Sequence, residues 1–303
     1  MDGRGIRRAV EALASDQDGV VSREQARALG ADRWLVGHEV ERGRWVALGA
    51  RTIAVHGGTP GERGLLTASV WEAGANAVLD GVSSLTWAGL QNFSDKPHII
   101  TPWPNKGHAW NGSVVHRSRL WNERDFVQAG PVRRTRNDVA AIRAAIWART
   151  DRAAATVMAM AVQQRITSGD RLLLEAKRLN RHRRRPFILT IAYDIADGAH
   201  SLGELDFGAL CRARGLPTPT RQIVVRGPRG RVYLDVLFEA QNAVVEVEGI
   251  HHDAPENIID DALRQNAVTI RDRSVLRVPV LGLRVMPDPF MDQVEALLLR
   301  RAA

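Results

Sequence analysis

Three carboxylates stand where a β-strand calls for apolar side chains. In Val244-Val245-Glu246-Val247-Glu248, alternation puts both glutamates on one face of the strand. In Val232-Tyr233-Leu234-Asp235-Val236-Leu237-Phe238, Asp235 lies on the face opposite Leu234 and Val236. A connection through Glu239 to Asn242 would pair residue 238 with 243 and 235 with 246. Asp235 and Glu246 would then be cross-strand neighbours with Cβ atoms roughly 5 Å apart. Two carboxylates at that distance can share a divalent cation; the solvent side of a hairpin can also look this way.

Other groups nearby could join that chemistry. Glu204 lies in Ser201-Leu-Gly-Glu204, where it either supplies a further carboxylate or closes a capping box with Ser201. His251 and His252 follow Gly249, and Asp260-Asp261 precede Arg264. A histidine titrates near neutral pH and can shuttle a proton or hold a phosphate, although polar residues are also expected on such a loop. Arg264 either clamps a phosphate or pairs along its helix with Asp260 or Asp261. Hydrolysis of a phosphodiester needs an activated water and neutralisation of charge on the phosphate. Mg²⁺ or Mn²⁺ held by carboxylates in an open site supplies both.

The elements that must position these groups follow from pattern. Strands are expected over 222–225, 232–238, 244–248 and 274–278, with helices starting near Ser201 and spanning 257–270 and 289–301. An α-β-β-β-α-β-α order describes a mixed sheet with helices packed on it. Upstream, Ile6, Val10 and Leu13 mark an amphipathic helix. Ser22 with Gln25 caps a second helix ending at Gly30, and Asp32 caps a third that Gly43 stops. Arg44–Leu48 and Arg51–Val55 read as a hairpin around Gly49. Three helices and a hairpin make a winged helix-turn-helix, whose third helix would present Arg33 and His38 to DNA with Arg44 beside it. Between these ends, residues 58–186 mix helices with short strands at 77–79, 99–101 and 113–116.

Composition bounds the rest. A chain of 303 residues exceeds one ordinary core. Its longest apolar run, 153–162, is far short of the ~20 residues of a membrane helix. The single cysteine, Cys211, excludes a disulfide framework and a cysteine-based zinc site. A cytoplasmic location is expected. Net charge is +8, but residues 131–190 alone carry 14 Lys+Arg against 4 Asp+Glu. That basic band suggests a polyanion partner. All eight tryptophans fall between Trp34 and Trp147, which marks a boundary near residue 187.

Two resemblances extend this reading. Ser22-Arg-Glu-Gln-Ala-Arg-Ala-Leu-Gly30 and Arg42-Gly-Arg-Trp-Val-Ala-Leu48 resemble the N-terminal winged-helix region of AbiEi-type antitoxins, and the order of elements over 58–186 resembles their middle region. The C-terminal pieces are Ser201-Leu-Gly-Glu204, Pro217–Gln222, Asp235, Val245-Glu-Val-Glu-Gly-Ile-His-His252, Asp260-Asp261-x-x-Arg264 and Val275-Leu-Arg277. In this order they resemble the Vsr-like branch of the PD-(D/E)XK endonuclease superfamily. The resemblance implies Asp235, Glu246 and Glu204 as metal ligands, with Glu248, His252 and Arg264 completing a catalytic set. Glu248 stands where the superfamily usually has lysine, as it does in many Vsr-like relatives, and residues 191–303 contain no lysine.

The expectation is therefore an α/β multidomain protein: a winged helix at 1–57, an α+β middle region at 58–186 and a restriction-endonuclease-like domain at 187–303. Its expected function is DNA binding with Mg²⁺- or Mn²⁺-dependent phosphodiester hydrolysis, in repair, defence or a toxin–antitoxin-like system that could include a protein partner. The alternative is a non-catalytic DNA-binding regulator with a degenerate nuclease fold. No membrane partner is expected.

Overall fold

Local capping chemistry sets the first elements. Asp2 caps α1 (Gly3–Ser15), and α1 leads into β1 (Val20–Ser22). Ser22 accepts from the Gln25 N–H while the Gln25 side chain accepts from the Ser22 N–H, so the capping box starts α2 (Arg23–Ala28). The Asp32 carboxylate accepts from the N–H groups of Trp34 and Leu35 at the start of α3 (Arg33–Glu41). Gly43, at φ +67°, turns the chain after α3. β2 (Val46–Ala47) and β3 (Thr52–Ala54) follow, in a three-stranded sheet of order β1-β3-β2. Val10, Val21, Val36, Trp45 and Ile53 close the core between helices and sheet.

The computed structural model describes residues 2–197, 205–226, 232–249, 262 and 275–302. The chain divides into two compact units, Met1–Ala140 and Ala141–Ala303. Among the described residues it is a mixed α/β protein with three sheets.

The rest of the first unit is built on α4 (Glu62–Ala73), α5 (Gly81–Trp87) and a five-stranded sheet of order β6-β5-β4-β8-β7. Its strands are β4 (Val78–Leu79), β5 (His98–Pro102), β6 (Val114–Ser118), β7 (Phe126–Ala129) and β8 (Val132–Thr135). Leu66, Val70, Leu79, Trp87, Ile99 and Val132 form its core. The buried Glu72 carboxylate accepts from the N–H groups of Ala50 and Arg51, and the Trp110 indole donates to the Leu48 carbonyl. These bonds fasten the β2–β3 turn to the neighbouring layer.

The division between units falls inside α6 (Asn137–Trp147). The composition break near residue 187 therefore lies within the second unit. Helix α9 (Arg185–Ala196) packs against both α7 (Asp151–Gln163) and α8 (Gly169–Arg178), and α11 (Val280–Val285) packs against α7 and α9. The buried Asp194 of α9 pairs with Arg284 of α11 at 3.1 Å. On α7, Ala154, Ala155, Val157, Met158, Ala159 and Met160 are buried. Completing the unit are α10 (Phe207–Ala213), α12 (Pro287–Ala302) and a sheet of β9 (Arg221–Arg226), β10 (Val232–Phe238), β11 (Ala243–Glu248) and β12 (Leu276–Pro279). Sheet order is β12-β11-β10-β9. β9–β10 and β10–β11 run antiparallel and β11–β12 parallel, the expected mixed sheet.

Candidate functional sites

The β10–β11 hairpin has the register its loop length predicts. Phe238 pairs with Ala243, Asp235 with Glu246, and Tyr233 with Glu248. The turn closes with the Asn242 N–H donating to the Glu239 carbonyl at 3.0 Å, and Asn242 takes φ +44°, a region asparagine tolerates. Along β11, Ala243, Val245 and Val247 are buried, while Val244, Glu246 and Glu248 are half-buried on the opposite face. Ile223, Asp235, Glu246 and Arg277 thus form one row across all four strands. The carboxylates interrupt apolar strands because they occupy the outer face.

Arg277, known from the sequence only as the end of the Val275-Leu-Arg277 piece, joins the carboxylates in this row. Its Nε lies 3.4 Å from Glu246 Oε2 and 3.9 Å from Glu248 Oε1. The signal available was its place between Leu276 and Val278, both buried, which turns its own side chain to the outer face. Which strand it would face depended on β12 joining β11 in parallel, and pattern alone does not fix that. A guanidinium here sets a positive charge beside the two carboxylates.

Asp235 and Glu246 offer hard oxygen donors on one face, with Glu248 two positions on. Such donors suit Mg²⁺ or Mn²⁺. Among the described residues no group of three or more His, Cys, Asp or Glu gathers into a ligand set. Glu204, the third expected ligand, lies outside the described residues, as do His251, His252, Asp260, Asp261, Arg264 and nearly all of the expected 257–270 helix.

In the N-terminal segment, α3 carries Arg33 and His38 exposed to solvent. Between them Trp34 is 71% exposed, with the Arg33 guanidinium 5.0 Å from its ring centroid. Sequence reasoning passed over Trp34, although it falls off the Val36–Val40 face that packs inward. Arg44 is placed differently. It forms a two-pronged hydrogen-bonded pair with Glu39, which is buried at 2% exposure, and Arg7 approaches the same carboxylate at 3.8 Å. The Arg44 hydrogen bonds hold the Glu39 carboxyl below the usual glutamate range, against the opposing effect of burial. Arg44 is thus a structural partner first.

The basic band divides in the same way. Arg184 donates to the carbonyls of Ala145 and Ala148 at the end of α6 and pairs with Asp151, neutralising a helix C-terminus. Arg185 donates to the Leu179 carbonyl. Arg149, Arg165, Arg171, Lys177, Arg181 and Arg183 are exposed. Of the tryptophans in the middle region, Trp87 is buried, Trp110 bonds Leu48, and Trp121 donates to Glu123. Trp103 stands 49% exposed.

No family model and no curated protein matches the chain. Among solved structures, the crystal structure of RV2827C protein from Mycobacterium tuberculosis aligns with 66% of this chain and 80% of that chain, at 16% identity and a TM-score of 0.41. Among the described residues no helix is long and apolar enough to cross a membrane.

Proposed function

We propose that the protein binds duplex DNA through an N-terminal winged helix and hydrolyses phosphodiesters at a Mg²⁺- or Mn²⁺-dependent site on its C-terminal sheet. The observation that carries the reading is the register that sets Asp235 beside Glu246, with Glu248 two positions on, on the half-buried face of a mixed sheet. The six sequence pieces that resemble Vsr-like endonucleases support the same reading. When bound, the cation would supply an activated water and charge neutralisation. Asp235 and Glu246 would hold it, and Arg277 is placed to meet a phosphate oxygen as a charge-assisted donor. For the N-terminal part, support comes from the order α1-β1-α2-α3-β2-β3 and the exposed Arg33 and His38 on α3.

A cleavage assay on single-stranded, duplex and mismatched DNA with Mg²⁺ or Mn²⁺ tests this, with Asp235→Ala as control. Metal-dependent cleavage by the wild type that Asp235→Ala abolishes is the expected result. No cleavage of any substrate, with duplex binding retained, leaves the second reading: a non-catalytic DNA-binding regulator. One observation favours that alternative. Arg277 already balances Glu246 and Glu248, so the face can be stable without a cation.

A further inference from the structure

We propose that Trp103, with Arg117 and Arg119, is a platform on which an unpaired base of single-stranded DNA stacks. The proposal shares with the reading above only the premise that the partner is DNA; it concerns other residues.

The fold builds this platform at an open edge. β6 is an outer strand of its sheet and pairs in parallel with β5, Thr101 opposite Arg117 and Pro102 opposite Ser118. The Trp103 N–H continues the ladder, donating to the Ser118 carbonyl at 2.8 Å. Arg117 and Arg119, two positions apart, reach the same indole, their guanidinium carbons 5.2 and 4.7 Å from its ring centroid.

Three features point to a nucleic acid. An indole is the largest apolar side chain and is normally buried, yet Trp103 keeps 49% of its surface exposed. Neither Arg117 nor Arg119 forms an ion pair among the described residues, so both charges can meet phosphate. Arg133, by contrast, lies over Phe126 but is paired with Glu123. The surrounding sequence has one sign. From Lys96 to Asn122 there is no aspartate or glutamate, while Lys96, Lys106, Arg117 and Arg119 are all present and exposed. An indole covered by two guanidiniums that form no ion pair matches the chemistry of a base that takes their place on the ring while they move to its phosphate. Duplex DNA hides its base faces, so this platform selects unpaired strand.

Fluorescence anisotropy of labelled oligothymidylate with the full-length protein tests the proposal. Trp103→Ala should weaken binding on the order of 10- to 100-fold, while Trp103→Phe, which keeps a ring, should retain most of it. In Arg117→Ala/Arg119→Ala the salt-dependence slope should fall by about 1.4, since each neutralised phosphate of a single strand contributes about 0.7. Duplex of the same length should bind Trp103→Ala as it binds wild type, and lose affinity in Arg33→Ala/His38→Ala. That arm separates failure of the α3 reading from failure of this one. Unchanged oligothymidylate binding by Trp103→Ala overturns the proposal. Equal losses in Trp103→Ala and Trp103→Phe with an unaltered melting temperature overturn stacking. Equal competition by poly-L-glutamate shows an anion site that ignores bases, and overturns it too.

Discussion

At the scale of single residues, the protein distinguishes charges that hold it together from charges left open. Glu39 and Arg44 belong to the first kind. Glu39 is almost wholly buried, whereas Arg44 keeps 38% of its side chain exposed and can be rehydrated if its partner is lost. Glu39→Gln should therefore cost about 1–2 kcal/mol at neutral pH, less than a fully buried pair. The acid dependence has a definite sign. A carboxyl held below its ordinary value of 4.5 contributes stability that is fully present above that value and lost as pH falls through the folded value. Urea unfolding of both proteins should show the gap between them narrowing below about pH 4.5. A gap that stays constant to lower pH would mean Glu39 is protonated in the fold at neutral pH as well.

Among the elements, β5 carries a second titrating group. His98 is buried, its Nδ1 lies 2.8 Å from His116 Nε2 on β6, and Asp95 Oδ2 is 3.4 Å from its Nε2. The two imidazoles stack with centroids 5.1 Å apart. Burial pushes the His98 pKa below the ordinary 6.5, while the Asp95 carboxylate pulls it partly back. The unfolded chain then takes up this proton more readily than the fold. Stability from His98 is complete above about pH 6.5 and is lost as pH drops through the lower, folded value. Melting temperature should fall as pH goes from about 7.5 to about 5.5, and His98→Gln should flatten that slope. An unchanged slope in His98→Gln would place the dependence elsewhere. Protonation of His98 disturbs its contact with His116 and so loosens β6, the sheet edge beside Trp103.

For the whole molecule, two compact units with separate cores imply two unfolding events. The nuclease reading adds which one should respond to metal. Mn²⁺ that binds only the folded carboxylate site raises the transition of residues 141–303 by linkage and leaves that of residues 1–140 in place. Asp235→Asn should remove most of that shift. Glu39→Gln provides the assignment, because it should lower only the other transition. Scanning calorimetry with and without Mn²⁺ reads all three effects in one set of traces. A Mn²⁺ shift retained in Asp235→Asn would move the metal site away from the β10–β11 face.

The sequence by itself determined what depends on near neighbours. Alternation and a four-residue turn set Asp235 opposite Glu246, and side-chain oxygens at Ser22 and Asp32 fixed the starts of α2 and α3, because strand period and capping involve residues a few positions apart. The expected start of α12 differed from that found by two residues, since apolar periodicity marks a helix's middle better than its ends. Tertiary structure decided the rest. It brought Arg277 to the carboxylates by a parallel pairing across a long connection, buried Glu39 so that Arg44 had to answer it, and left Trp103 open while covering Trp87. It also grouped α7, α8 and α9 with the C-terminal sheet, against the break in tryptophan content. Burial and charge partnership depend on what packs against a side chain from far along the chain, and no local pattern carries that information.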